Sequence, residues 1–141
     1  MQIRPFQESD TAAVSALWQE IFPDDPPHNA PALVIKQKLQ CQPELFFVAQ
    51  HEDKIIGTVL SGYDGHRGWL YSVAVSPSYR RQGMGRQLIQ HAEKALNAIG
   101  CNKINLQVRS TNAAVVAFYS QLGYEVEERI SMGKRFASPD V

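Results

Sequence analysis

Apolar positions along the chain recur with two periods, near two and near 3.6 residues, and the switches between them mark out the elements. Residues 3–6, Ile3 to Phe6, read as a short strand. Glu8-Ser9-Asp10 then offers N-cap chemistry for a helix that keeps Val14, Leu17, Trp18 and Ile21 on one face. Between residues 22 and 31 four prolines remove backbone donors and fix φ, which predicts an irregular loop. Pro31 suits the first turn of a second helix carrying Leu33, Val34, Lys38 and Leu39, and Pro43 closes it. Strands follow over 45–49 and 55–63, joined by a polar turn at 52–54 as an antiparallel hairpin. Asp64-Gly65 turns the chain into a third strand over 69–75, so the sheet continues as a meander. A long amphipathic helix starts near Gly83, holds Leu88, Ile89, Ala92, Ala95, Leu96 and Ile99 on one face, and ends at Gly100. A strand over 104–108 and a helix from Asn112 to Leu122 come next, with Gly123 just past the helix end. Tyr124–Val126 and Ile130–Met132 have the pattern of a final hairpin.

The order β-α-α-β-β-β-α-β-α-β-β joins a meander to two crossover helices. It predicts an α+β fold with a mixed sheet of about seven strands and about four helices, in a single domain over 1–141. Composition narrows the function. The chain has 141 residues, 44% of them hydrophobic, enough for one core without staple or metal. Fourteen basic and fourteen acidic residues cancel, which argues against a general nucleic-acid or membrane-surface binder. Cys41 and Cys101 lie far apart, and Met1 leads directly into polar sequence, so a reduced, cytoplasmic protein is expected. The longest apolar run, Ala113 to Tyr119, is far short of a membrane span. His28, His51, His66, His91 and the two cysteines have no metal-ligand spacing, and no metal is expected.

The chemistry concentrates at Ser76-Pro77-Ser78-Tyr79-Arg80-Arg81-Gln82-Gly83-Met84-Gly85-Arg86, where a strand runs through a loop into a helix. Surface helices commonly place acids in their first turn to complement the dipole, but here the first acid is Glu93. Two glycines leave successive N–H groups open and three arginines surround them, a match for phosphate or pyrophosphate; the alternative is a tight turn with solvated arginines. The segment lacks the lysine and hydroxyl of a mononucleotide P-loop. Leu88 stands where a dinucleotide fingerprint needs its third glycine.

These residues resemble a known family. Arg80-x-x-Gly83-x-Gly85 is similar to the pyrophosphate loop of the GNAT N-acetyltransferases, and Asn112, followed by Phe118-Tyr119-x-x-Leu122-Gly123-Tyr124, is similar to that family's later motif. Gly62 to Gly68, with Gly133-Lys134-Arg135, further resembles the small bacterial YpeA branch. The resemblance implies a splayed GNAT sheet and acetyl-CoA as cosubstrate. The N–H groups of Arg81, Gln82, Gly83, Met84, Gly85 and Arg86, beside Arg80, would hold the pyrophosphate, and main-chain groups of Val73 and Val75 would pair with pantetheine like an added strand. Asn112 is either a helix cap or a pantetheine contact, or both.

The family's matching tyrosine faces the CoA sulfur, which implies a catalytic role for Tyr119 in assisting thiolate departure, against a plain core tyrosine. Enzymes of this family that acetylate protein N-termini often carry a glutamate where Gln107 stands, and Gln107 cannot act as a carboxylate base. Asp64, His66, Glu44 and Glu125 remain alternatives for the base. Asp24, Asp25 and His28 in the proline-rich loop are either a solvated acidic loop or a border of the acceptor cleft. The implied activity is acetyl transfer to a primary amine of a small molecule, amino acid, peptide or protein, by a monomer or homodimer. A non-catalytic acyl-CoA-binding module is the rival.

Overall fold

A computed structural model describes residues 1–137. It forms two compact units, Met1–Leu106 and the segment from Gln107 onward.

The first unit holds five strands in the order β1-β2-β3-β4-β5: β1 Gln2–Pro5, β2 Phe46–His51, β3 Lys54–Tyr63, β4 Gly68–Val75 and β5 Ile104–Leu106. The first four pair antiparallel and β5 joins β4 in parallel, which makes the sheet mixed. Its helices are α1 Thr11–Ile21, α2 Pro31–Leu39 and α3 Met84–Ala98. Residues 22–31 are not wholly irregular, because Pro27–Asn29 makes a 3₁₀ turn. Proline is tolerated in a helical first turn, where its missing N–H would have had no partner.

Alternation along the strands separates two faces. Phe6, Val14, Leu17, Trp18, Ile35, Phe46, Val48, Leu60 and Ala74 form a core that packs α1 and α2 on one side. Within it the Phe6 and Phe46 rings stack 4.3 Å apart. Leu88, Ile89, Ala92 and Leu96 bury the apolar stripe of α3. Asp10 does not cap α1. Its carboxylate turns back, accepting from the Gln7 N–H at 2.9 Å and from both terminal guanidinium nitrogens of Arg4 at 2.8 and 2.9 Å.

The second unit contains α4, Ala113–Gln121, capped by Asn112, whose side chain accepts from the Val115 N–H at 3.3 Å. The expected final hairpin does not form, so the described residues hold five strands rather than about seven. Val126, Ile130 and Met132 are 80 to 91% exposed. A two-stranded hairpin that buries neither face is marginal in water, and Glu127, Glu128 and Arg129 crowd its turn with charge. The strand expected over 104–108 likewise stops at Leu106.

Candidate active site

β4 is the organising element. Its pairing with β3 matches Thr58 to Ala74 but Leu60 to Tyr71, so two residues of β4, Ser72 and Val73, stand opposite Val59 alone. This is a β-bulge, and Ser72 occupies the left-handed region with φ 47°. A buried relay fixes it: the Trp18 indole N–H donates to Thr58 Oγ1 at 2.9 Å, and the Thr58 hydroxyl donates to the Ser72 carbonyl at 2.9 Å. The bulge resets the alternation, so that Tyr71 and Ala74 face the α1–α2 side together. Beyond Leu70, β4 has no strand partner on its β5 side among the described residues, since the parallel pairing covers only Gly68–Leu70. Val73 and Val75 therefore lie on a strand segment laddered from one side, which suits them to the pairing that the family resemblance implies. The Val75 carbonyl accepts a long bond, 3.4 Å, from Arg80 Nε.

From β4 the chain makes a 3₁₀ turn, Pro77–Tyr79, and enters α3. Gly83 is the N-cap residue with φ 77° and ψ 9°, and helical Met84 follows it. A left-handed residue followed by a right-handed one turns successive N–H groups inward, the geometry of an anion nest. The first intrahelical bond in this turn runs from the Gln87 N–H to the Gly83 carbonyl, so the N–H groups of Met84, Gly85 and Arg86 precede the helical ladder. Among the described residues no side chain caps this end, and no acid lies in its first turn. A Cβ at Gly83 would meet nothing within 4 Å, so the approach is open. Arg81 has φ 64°, a left-handed conformation that costs a non-glycine residue about 1–2 kcal/mol. Arg80, Arg81, Gln82 and Arg86 are exposed around the nest, while buried Met84 anchors the helix start in the core.

In the second unit Tyr119 is the buried residue of α4, 8% exposed, with Phe118 and Tyr124 set edge-on to its ring at 5.0 and 5.6 Å. Burial pushes its phenol up to about 12. Gln107 Nε2 donates to Ser131 Oγ at 2.5 Å. Of the alternatives for a base, Asp64 is committed to structure. Its Oδ1 accepts from the Arg67 and His66 N–H groups at 2.7 and 2.8 Å, and its Oδ2 accepts from the Trp69 indole at 3.2 Å. Those bonds, the one from Arg67 foremost, hold its carboxyl below the usual range and make it a weak base. Among the described residues no group of three His, Cys, Asp or Glu side chains is arranged to hold a metal ion.

Nothing in the sequence marks Trp18, Thr58 and Ser72 as partners. Only Trp18 carried a signal, as one apolar position of α1, and that signal says nothing of its indole N–H.

A mixed sheet whose fourth strand breaks its ladder and feeds a nest at a helix N-terminus defines the class: an α+β fold built around a crossover with an open, acid-free helix start. Residues 11–124 match the acetyltransferase (GNAT) family. The chain belongs to this family and is an acyltransferase. It is 44% identical over 135 residues to acetyltransferase YE1169 of Yersinia enterocolitica, covering 96% of this chain and 95% of that one. Acetyltransferase ECA0875 of Pectobacterium atrosepticum is also 44% identical with the same coverage. Among solved structures, the aminoglycoside acetyltransferase AAC(6')-Iy in complex with a bisubstrate analogue has a TM-score of 0.79 at 20% identity, over 96% of this chain and 98% of that one. The ribosomal-protein-S18-alanine N-acetyltransferase of Escherichia coli has a TM-score of 0.71 at 27% identity, over 86% of this chain and 76% of that one.

Proposed function

We propose that the protein transfers the acetyl group of acetyl-CoA to a primary amine by direct attack, as one catalytic domain spanning both units. The observation that carries this reading is the open nest at the start of α3: a left-handed Gly83, unladdered N–H groups, no acid in the first turn and arginines around it. A pyrophosphate matches it in charge and in donors. Acetyl-CoA supplies the acyl group as a thioester. Main-chain groups of Val73 and Val75 hold the pantetheine arm and so orient the thioester, which converts a bimolecular encounter into a positioned one. Asn112 adds a pantetheine contact to its capping role. The amine's N–C bond forms as the C–S bond breaks, the thiolate leaves as CoA, and the surplus amine proton passes to solvent.

Tyr119 assists the departing thiolate. With its phenol near 12 and an ordinary thiol near 8.5, complete proton transfer from Tyr119 is uphill by on the order of 5 kcal/mol. Its contribution is therefore a hydrogen bond to developing negative charge, a contact worth about ten- to a thousand-fold in rate. The two cysteines are free thiols, in keeping with a reducing, cytoplasmic setting.

The test is release of free CoA from acetyl-CoA across a panel of amines and peptides, with Gly83→Glu and Tyr119→Phe beside the wild type. Gly83→Glu puts a carboxylate and a strained φ into the nest, and should abolish acetyl-CoA binding while leaving the fold intact. Tyr119→Phe should lower turnover ten-fold or more at nearly unchanged acetyl-CoA affinity. Tight binding by Gly83→Glu refutes the nest, and undiminished turnover by Tyr119→Phe refutes its role.

A further inference from the structure

A cavity of about 410 Å³ opens between α2 and the adjoining ends of β3 and β4, with Lys38, Cys41, Tyr63, Trp69 and Tyr71 in its wall. Lys38 is out of keeping with its surroundings. It is 4% exposed, yet its one hydrogen bond among the described residues goes to the Ser61 carbonyl, and it makes no ion pair among them. An ammonium carries three donors, and lysine is almost never so fully buried unless paired. Burial draws its pKa down, while Cys41 and Glu44 favour its charge only through space. Asp64 also lines the cavity, but both its oxygens are already taken by the His66–Trp69 turn. The approach to Nζ is kept clear by glycine: a Cβ at Gly62 would stand 3.8 Å from it. Trp69 and Tyr71 are two residues apart on β4, share one face of the sheet and are both exposed.

We infer that this cavity receives the acceptor, that the acceptor carries a carboxylate beside its amine, and that Lys38 holds that carboxylate while Trp69 and Tyr71 pack against the acceptor's side chain. The inference rests on the acetyl-transfer reading. Tyr71 precedes Val73 by two residues, across the bulge at Ser72, so one strand carries both the acceptor wall and the pantetheine segment. The class defined is an α-amino acid with an apolar or aromatic side chain. An acceptor with several amines and no carboxylate would set a second cation against a buried one, which is unfavourable.

Binding of N-acetylglycine, N-acetylmethionine and N-acetylphenylalanine, each against its carboxamide, tests this by calorimetry on the full chain, wild type and Lys38→Met. CoA release from acetyl-CoA with the matching free amino acids and amino-acid amides runs in parallel. At least one acid should bind ten-fold or more tightly than its amide, and Lys38→Met should erase the difference without changing acetyl-CoA affinity. The inference is overturned if no acid outbinds its amide in the wild type, a comparison that needs no variant, or if the preference survives Lys38→Met. Equal turnover of acids and amides removes the carboxylate anchor but leaves acetyl transfer standing. Acid-selective binding without CoA release from any amine leaves the anchor standing and removes the transfer reading.

Discussion

Thr58→Val is the sharpest probe of how the sheet holds β4 in shape. Thr58 is fully buried and links α1 to the bulge, accepting from Trp18 and donating to the Ser72 carbonyl. Valine preserves the outline of the side chain and removes both bonds. Two neutral hydrogen bonds at about 1 kcal/mol each, with the penalty for stranding a buried indole N–H, outweigh the fraction returned by a buried methyl; the net loss is on the order of 2–3 kcal/mol. At roughly 4 °C per kcal/mol for a domain of this size, Tm falls by about 10 °C. In a Trp18→Phe background no donor is left to strand, so the same change should cost only about 1 kcal/mol, and the cycle should give a coupling of about 1–2 kcal/mol. Urea and thermal unfolding followed by circular dichroism measure both legs. Because the relay positions the strand that precedes the nest, acetyl-CoA affinity should also fall with Thr58→Val and recover with Thr58→Ser, which keeps the hydroxyl. A cost below about 0.5 kcal/mol, or an equal cost in both backgrounds, refutes the relay.

Two further outcomes follow from packing and charge. A Cβ on Gly68 would stand 2.7 Å from Cys101 Sγ and 3.1 Å from both Ile104 Cγ1 and Leu96 Cδ1; Gly68→Ala should lose about 1–3 kcal/mol, Cys101→Ala should restore part of it, and an unshifted denaturation midpoint would show that the β4–β5 seam has slack. Hydrogen bonds from Arg4 hold the Asp10 carboxyl below its ordinary 3.8, so its stabilisation is complete above that value and is lost as pH falls through the lower folded value. Wild type should therefore lose stability more steeply than Asp10→Asn below about pH 4, and parallel profiles would contradict the assignment.

The parts of the site legible in sequence are those decided within a turn or two of chain. The start of α3 shows its missing acids, its glycines and its arginines within ten residues, because capping, dipole complementarity and left-handed conformations act locally. The same holds for Asn112, which caps α4 three residues from the N–H it accepts, and for Tyr119, whose inward face follows from helical period. The expected final hairpin does not form for a related reason. Alternation of Val126, Ile130 and Met132 is a local signal, but a strand needs a partner to bury it, and the pattern does not supply one.

What tertiary structure alone decided is set by distance along the chain. The bulge at Ser72 depends on a hydroxyl 14 residues away, and that hydroxyl on an indole a further 40 residues distant. Lys38 lies on a helix that its sequence describes as ordinary and amphipathic, and only the Ser61 carbonyl, 23 residues on, together with the strand ends around it, turns it into a buried cation facing a cavity. The sequence alone was enough to show the open, acid-free start of α3 at Gly83, since helix ends carry their own chemistry. The aim of β4 and the character of the cavity beside Lys38 were decided by folding, because both arise from groups that meet only when the sheet and its helices close on one another.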